Sequence, residues 1–140
     1  MDFELTEEQQ MIRHMVREFS EKEIRPITRE IDAKGEFPWE VIRKMAGLGL
    51  LGLPIPEQYG GSGADTVSYA LAVEEISRVS GSVGITMAAH TSRGLYPLYR
   101  FGSEDQKQKY LPRLASGQGL AAFGLTEPEA GSDAGRVKTT

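Results

Sequence analysis

Val67, Ala70, Leu71, Val73, Ile76 and Val79 put apolar side chains around most of the circumference of one helical segment. A helix that is apolar on nearly all sides must be surrounded, so this segment predicts a central helix with others packed about it. Asp65 stands where an N-cap belongs, and the helix is predicted to run to about Val79. Its neighbours can be read on either side. Thr6-Glu7-Glu8-Gln9 is a capping box. Ile12, Met15, Val16 and Phe19 follow at the spacing of one helical face, predicting a helix to about Ile24 that stops or bends before Pro26. A short helix over 26–33 ends at Gly35. Pro38, taken as a first helical residue, opens a third through Val41, Ile42 and Met45 that ends among the glycines at 47–52. Ser80 to Ser82 break the central helix from segments 83–91 and 94–101. Ser103-Glu104-Asp105-Gln106 is a second capping box, and its helix is predicted to kink at Pro112 and end at Ser116-Gly117.

The pattern changes after residue 118. Leu120 to Leu125 is short, bounded by Gly119 and Pro128, and predicts a strand. The expected fold is therefore all-α, a bundle of about six helices over 1–118, followed at 119–140 by the opening strand and loop of a β domain.

Composition removes several kinds of function. With no cysteine, a disulfide framework and thiol chemistry are excluded. His14 and His90 are far apart, so no zinc site is expected. A net charge of −4 offers no cationic surface for nucleic acid or an anionic membrane. The apolar stretch from 83 to 101 carries His90, Arg93 and Arg100 and does not suit a membrane span. The opening "MDFELTEEQQ" is acidic and lacks an apolar h-region, so a cytoplasmic location is expected.

Four motifs invite chemistry. Gly47-Leu-Gly49-Leu-Leu-Gly52 spells a dinucleotide fingerprint, but a helix precedes it and Pro54 and Pro56 follow, so it reads as a glycine-rich helix terminus packed closely on its neighbours. Gly60-Gly61-Ser62-Gly63 lacks a P-loop ending and reads as a flexible lead into the central helix. Glu74 and Glu75 are adjacent and so diverge by about 100° on a helix; Arg78 is the expected ion-pair partner. His90-Thr91-Ser92 is either a hydrogen-bonded structural group or the polar wall of a pocket.

The fifth stretch is "FGLTEPEAGSD", Phe123 to Asp133. Phe123 and Leu125 alternate with Gly124, which leaves room for a flat ligand or another backbone. Thr126 and Ser132 add hydroxyls, and Gly131 adds conformational freedom. Such a segment can line a heterocycle and reach a phosphate, or it can be a turn at a domain boundary. No nucleophile is in place, because Glu127, Glu129 and Asp133 lack a partner base or a metal cluster.

That stretch resembles the flavin-contacting signature of the acyl-CoA dehydrogenases. The resemblance extends through "LTEEQQMIRHMVREFSEKEIRP", "LGLLGLPIPEQYGGSG" and "FGSEDQKQKYLPRLASGQGLAAFGLTEPEAGSD". It implies a larger enzyme with an N-terminal helical domain, a middle β domain and a C-terminal four-helix domain. FAD and acyl-CoA would meet between them, and an electron-transfer flavoprotein would accept the electrons. A homo-oligomer, a homotetramer at full length, is implied. By position, Phe123, Leu125 and Thr126 would contact the isoalloxazine ring, and Gly131 and Ser132 the pyrophosphate. Ser132 would also approach the thioester ligand, with His90, Thr91 and Leu95 flanking the acyl pocket. The family's glutamate base would lie beyond residue 140, so no catalytic residue is expected in this chain and no turnover from it alone. A lone helical domain would expose an apolar face and self-associate. The alternative is a stand-alone helical scaffold that has lost the chemistry.

Overall fold

The computed structural model describes residues 4–139. Helix α1 spans Glu7–Phe19, capped by Thr6 with the reciprocal Gln9 contact in place. A π-helical turn (Ser20–Ile24) and a 3₁₀ turn (Arg25–Ile27) carry the chain past Pro26 into α2, Thr28–Lys34. The bend expected before Pro26 is thus a change of helical pitch, with the proline placed where its missing N–H costs little. Gly35, at φ 65°, ends α2 in the left-handed conformation. Helix α3 is Trp39–Gly47, with Pro38 at the cap rather than inside the first turn. Helix α4 is Thr66–Ser77, capped by Asp65. Helix α5, Gly81–Ala88, runs through a π-helical turn (Ala89–Leu95) into α6, Tyr96–Phe101. Helix α7, Glu104–Ala115, has a capping box and continues past Pro112. Among the described residues no helix is long and apolar enough to cross a membrane.

Two apolar clusters hold these helices. The larger joins Val16, Ile24, Val41, Ile42, Met45, Leu50, Leu51, Ala72, Ile76, Val83 and Met87. The smaller joins Ile55, Tyr59, Leu95, Leu111 and Ala115 beneath α7. Helix α4 packs against both α1 and α5. It is flanked rather than surrounded: Ala72 and Ile76 are buried, while Val67 is 46% exposed and Ala70 is also exposed. α1 and α5 cover two flanks of α4, and the apolar residues on its remaining flank face outward.

The loop motifs are structural. Gly52 packs so closely on α7 that an added Cβ would lie 2.8 Å from the Ala115 Cβ. The Gly60–Gly63 loop is a locked turn rather than a flexible one. The N–H groups of Gly60, Gly61, Ser62 and Gly63 donate to the carbonyls of Glu57, Pro56, Gly52 and Ile55. No donor of that run is left for an anion. Residues 120–126 form no ladder, and the nearest pairing is a single bridge between Glu127 and Ala130. The expected strand is an extended edge without a partner strand, since a strand is defined by the neighbour it pairs with.

The ion pair expected around Arg78 has a different centre. Glu75 is 3% exposed and accepts two hydrogen bonds from Arg17 of α1, at 3.0 and 2.6 Å. Arg78 adds a third at 3.2 Å and reaches Glu21 at 2.6 Å, and Glu21 also pairs with Arg25. Contacts with Arg25 and Arg78 hold the Glu21 carboxyl down to about 2, and Arg17 above all holds Glu75 below its ordinary value.

Two outcomes follow. Glu75→Ala should destabilise the chain by about 1–3 kcal/mol in urea unfolding, because it strips a buried carboxylate from two arginines that retain solvent access. Both carboxyls are depressed in the folded state. Their contribution is therefore complete above the ordinary carboxylate range and is lost as pH falls below it, toward about 2 for Glu21. Melting midpoints of the wild type should drop more steeply over that window than those of Glu75→Gln.

Candidate functional site

The π-helical turn Ala89–Leu95 is where the helical body meets the tail. Its side chains brace it on three sides. The Ser92 hydroxyl donates to the Ala88 carbonyl at 2.6 Å, and Tyr69 of α4 donates to the same oxygen at 3.4 Å. The Thr91 hydroxyl, fully buried, donates to the Leu51 carbonyl at 3.0 Å.

His90 is buried and makes two contacts that fix its tautomer. The Ala121 N–H donates to Nδ1 at 2.9 Å, so Nδ1 is unprotonated. Nε2 then carries the hydrogen and donates to the Leu114 carbonyl at 3.2 Å. Burial pushes the imidazole pKa down, more strongly than the Leu114 carbonyl pushes it up. The ring is therefore neutral, with both nitrogens engaged, and has no lone pair left for general-base work. Gly94 completes the contact: a Cβ there would sit 2.3 Å from the Ala121 Cβ. One residue, Ala121, is thus gripped by His90 and Gly94 together.

His90, Thr91 and Leu95 consequently part company. Leu95 is fully buried in the smaller apolar cluster. His90 turns toward α7 and the tail. Thr91 borders a cleft of about 250 Å³ lined also by Pro54, Thr66, Tyr69, Ser92 and Tyr96. Of the two readings of His90-Thr91-Ser92, the hydrogen-bonded structural group describes His90 and Thr91, while Thr91 and Ser92 also border the cleft. Burial raises the Tyr69 phenol above its ordinary value, so it remains a hydroxyl donor at neutral pH.

Beyond Ala121 the tail leaves the helices. Phe123 is 55% and Leu125 42% exposed, and Thr126, Gly131 and Ser132 are exposed as well. A Cβ placed on Gly124 would meet no atom within 4 Å. Among the described residues, the N–H groups of Leu125 and Thr126 make no hydrogen bond. Further on, Glu127 closes a turn within the tail. Its N–H donates to the Ala130 carbonyl at 2.8 Å. Its carboxylate accepts from the Lys138 and Thr139 N–H groups at 3.0 and 2.9 Å, and from the Thr139 hydroxyl. Those donors, the hydroxyl first, hold the Glu127 pKa low. Glu127 is thus a brace for the tail, a role that its lack of a nearby base in the sequence did not reveal. Among the described residues, no cluster of three or more His, Cys, Asp or Glu could hold a metal ion.

Residues 6–118 match the family model for the acyl-CoA dehydrogenase N-terminal domain. The chain is 58% identical over 139 residues to a probable acyl-CoA dehydrogenase, YngJ, of Bacillus subtilis, covering 99% of this chain and 37% of that protein. It superposes with a TM-score of 0.94 and 50% identity on a chain from structural work on the electron transferring flavoprotein of Acidaminococcus fermentans, covering all of this chain and 37% of that one. A solved acyl-CoA dehydrogenase of Bacillus anthracis complexed with FAD gives a TM-score of 0.89 at 42% identity, covering 96% of this chain and 23% of that one. The chain spans well under half the length of each of these relatives. With a family model matching 6–118 and relatives alike over nearly the whole chain, the chain belongs to the acyl-CoA dehydrogenase family.

Proposed function

We propose that this chain is the N-terminal portion of an FAD-dependent enzyme that dehydrogenates the α,β-carbons of an acyl-CoA thioester. The observation that carries this reading is the strip 122–126. It leaves the helices from a fixed point with apolar side chains exposed, a glycine open to approach and backbone donors unspent. Those features fit a flat heterocycle: Phe123 and Leu125 can cover its ring, and the Leu125 and Thr126 N–H groups with the Thr126 hydroxyl can serve one polar edge. Donors fixed at that edge favour the form in which it carries negative charge. Gly131 and Ser132 are exposed and suited to a pyrophosphate, with Ser132 also toward the thioester ligand. When bound, FAD supplies the acceptor for a hydride from the substrate's β-carbon.

Thr91, on the cleft, is the residue of this chain assigned to the acyl side. His90 and Leu95, both turned into the protein, support that wall rather than form it. The proton acceptor, an electron-transfer flavoprotein partner and assembly as a homo-oligomer belong to the whole polypeptide. A boundary near residue 118, with a β domain beginning at 119, is supported by the end of helical packing there and by the unladdered strip that follows. The scaffold alternative would fold this strip onto the helices for its own sake. The exposure of Phe123 and Leu125 favours the dehydrogenase reading.

In the whole polypeptide, Thr126→Ala removes one donor to a group that becomes charged, worth about 1.5–3 kcal/mol. It should slow acyl-CoA-dependent flavin bleaching by about 10–100-fold, since about 1.4 kcal/mol is a factor of ten. Unchanged kinetics and an unchanged flavin spectrum would remove Thr126 from the site. The 140-residue chain alone, mixed with FAD and acyl-CoA, should show no bleaching.

A further inference from the structure

We infer that His90 is a positioning residue for the flavin-facing strip: together with Gly94 it fixes Ala121, and so sets the point and direction from which residues 122–126 leave the helical body. The inference rests on the proposed function only for what the strip faces; the clamp itself is geometry within this chain.

Three observations converge on Ala121. Its N–H is spent on His90 Nδ1, and the opposite side of that ring is anchored by the Leu114 carbonyl at the end of α7. The imidazole is thus a rigid spacer between α7 and the tail, with both ends hydrogen-bonded. Gly94, four residues along the same turn, removes the side chain that would hold Ala121 off by contact. Ala121 itself is only partly buried and belongs to the periphery of the smaller apolar cluster, so packing alone gives it a weak hold. The hydrogen bond supplies direction, which apolar contact does not.

The lever is short. Phe123 is two residues beyond the clamp, at most about 7 Å of extended chain. A slip at Ala121 reaches the ring-facing side chain nearly undiminished. A misplacement of about 1 Å at a reacting centre can cost about a hundredfold in rate. A buried histidine that takes no part in chemistry can therefore govern the site through one backbone amide.

Three substitutions in the whole polypeptide test this. Asn carries its Oδ1 on Cγ, as His carries Nδ1, so His90→Asn keeps an acceptor for Ala121. His90→Gln moves its polar atoms out to the Nε2 position, toward Leu114, and His90→Phe keeps the ring but neither hydrogen bond. Hydrogen exchange of the peptide containing Ala121, the position of the flavin absorption band and the affinity for added FAD are the readouts. In Gln and Phe variants Ala121 exchange should quicken about tenfold or more, the flavin band should shift and FAD affinity should fall about tenfold. His90→Asn should restore all three toward wild type while losing as much thermal stability as Gln. Equal flavin effects in Asn and Gln would overturn the inference, as would unchanged Ala121 exchange in Gln and Phe. So would quickened exchange with an unaltered flavin. If the wild type binds no FAD, the proposed function fails and so does the assignment of the strip to flavin; Ala121 exchange still reports whether the clamp exists.

Discussion

Helices α1 and α4 meet along a seam that is closed at both ends by side chains, and the rest of the fold is hung from it. At one end Gln9, the third residue of α1 and the last of its capping box, donates through its amide to Asp65, the cap of α4, at 2.7 Å. At the other, Arg17 holds Glu75 in a bidentate pair. Between them lie Val16, Ala72 and Ile76, all without solvent exposure. Start faces start and end faces end, so the two helices run in the same direction. Parallel dipoles gain nothing from each other, and Glu75 near the C-terminal end of α4 stands where a negative charge is unwelcome. Arg17 and Arg78 offset that placement. The same arginines make the carboxylate tolerable out of water, where an isolated charge would cost several kcal/mol.

The seam fixes where α4 lies, and α4 in turn fixes the π-helical turn. Tyr69 projects from α4 to the Ala88 carbonyl at the start of that turn. Thr91 ties the turn to Leu51, beside the glycine that lets α7 approach. His90 then reaches across to α7 and the tail. Each step is a polar contact that gives direction to a surface already made adhesive by apolar burial. The chain of contacts ends at Ala121, where the helical body stops and the exposed strip begins. Position at the strip is therefore inherited from the interior rather than generated locally.

Much of this was legible in the residues, and what was not has a common cause. Both capping boxes, the Asp65 cap and the Gly35 stop are local devices, with partners within four residues, and the sequence displays them directly. The contacts that escaped join residues far apart: Arg17 to Glu75 across 58 positions, His90 to Ala121 across 31. Arg78 within a helical turn of Glu74 and Glu75 was the visible partner, and it obscured the stronger one. The pitch changes at Ser20–Ile24 and Ala89–Leu95 leave no periodic signature over so short a span. The central-helix reading of 65–79 was too strong because circumference was read without knowing how many neighbours could reach it. The candidate loop was recognisable from Phe123 to Ser132, whereas the residue that aims it, His90, carries no local mark of its partner.

The strip 122–126 runs from a point fixed on the helical body to a turn closed within the tail itself, and that arrangement has an energetic consequence. Ala121 is fixed by His90, and Glu127 by the turn to Ala130 and by the donors of Lys138 and Thr139. The five residues between Ala121 and Glu127 therefore adjoin ordered backbone on both sides, unlike the middle of a wholly free tail. Ordering a backbone residue costs about 1–2 kcal/mol, so a partner that binds the middle of an already tethered segment has less of that cost to meet. Pairing the middle into a ladder of this chain's own would have consumed the donors of Leu125 and Thr126. Fixing the backbone on either side instead preserves them. The contacts at Ala121 and Glu127 order the backbone on either side of the strip without touching the residues in between.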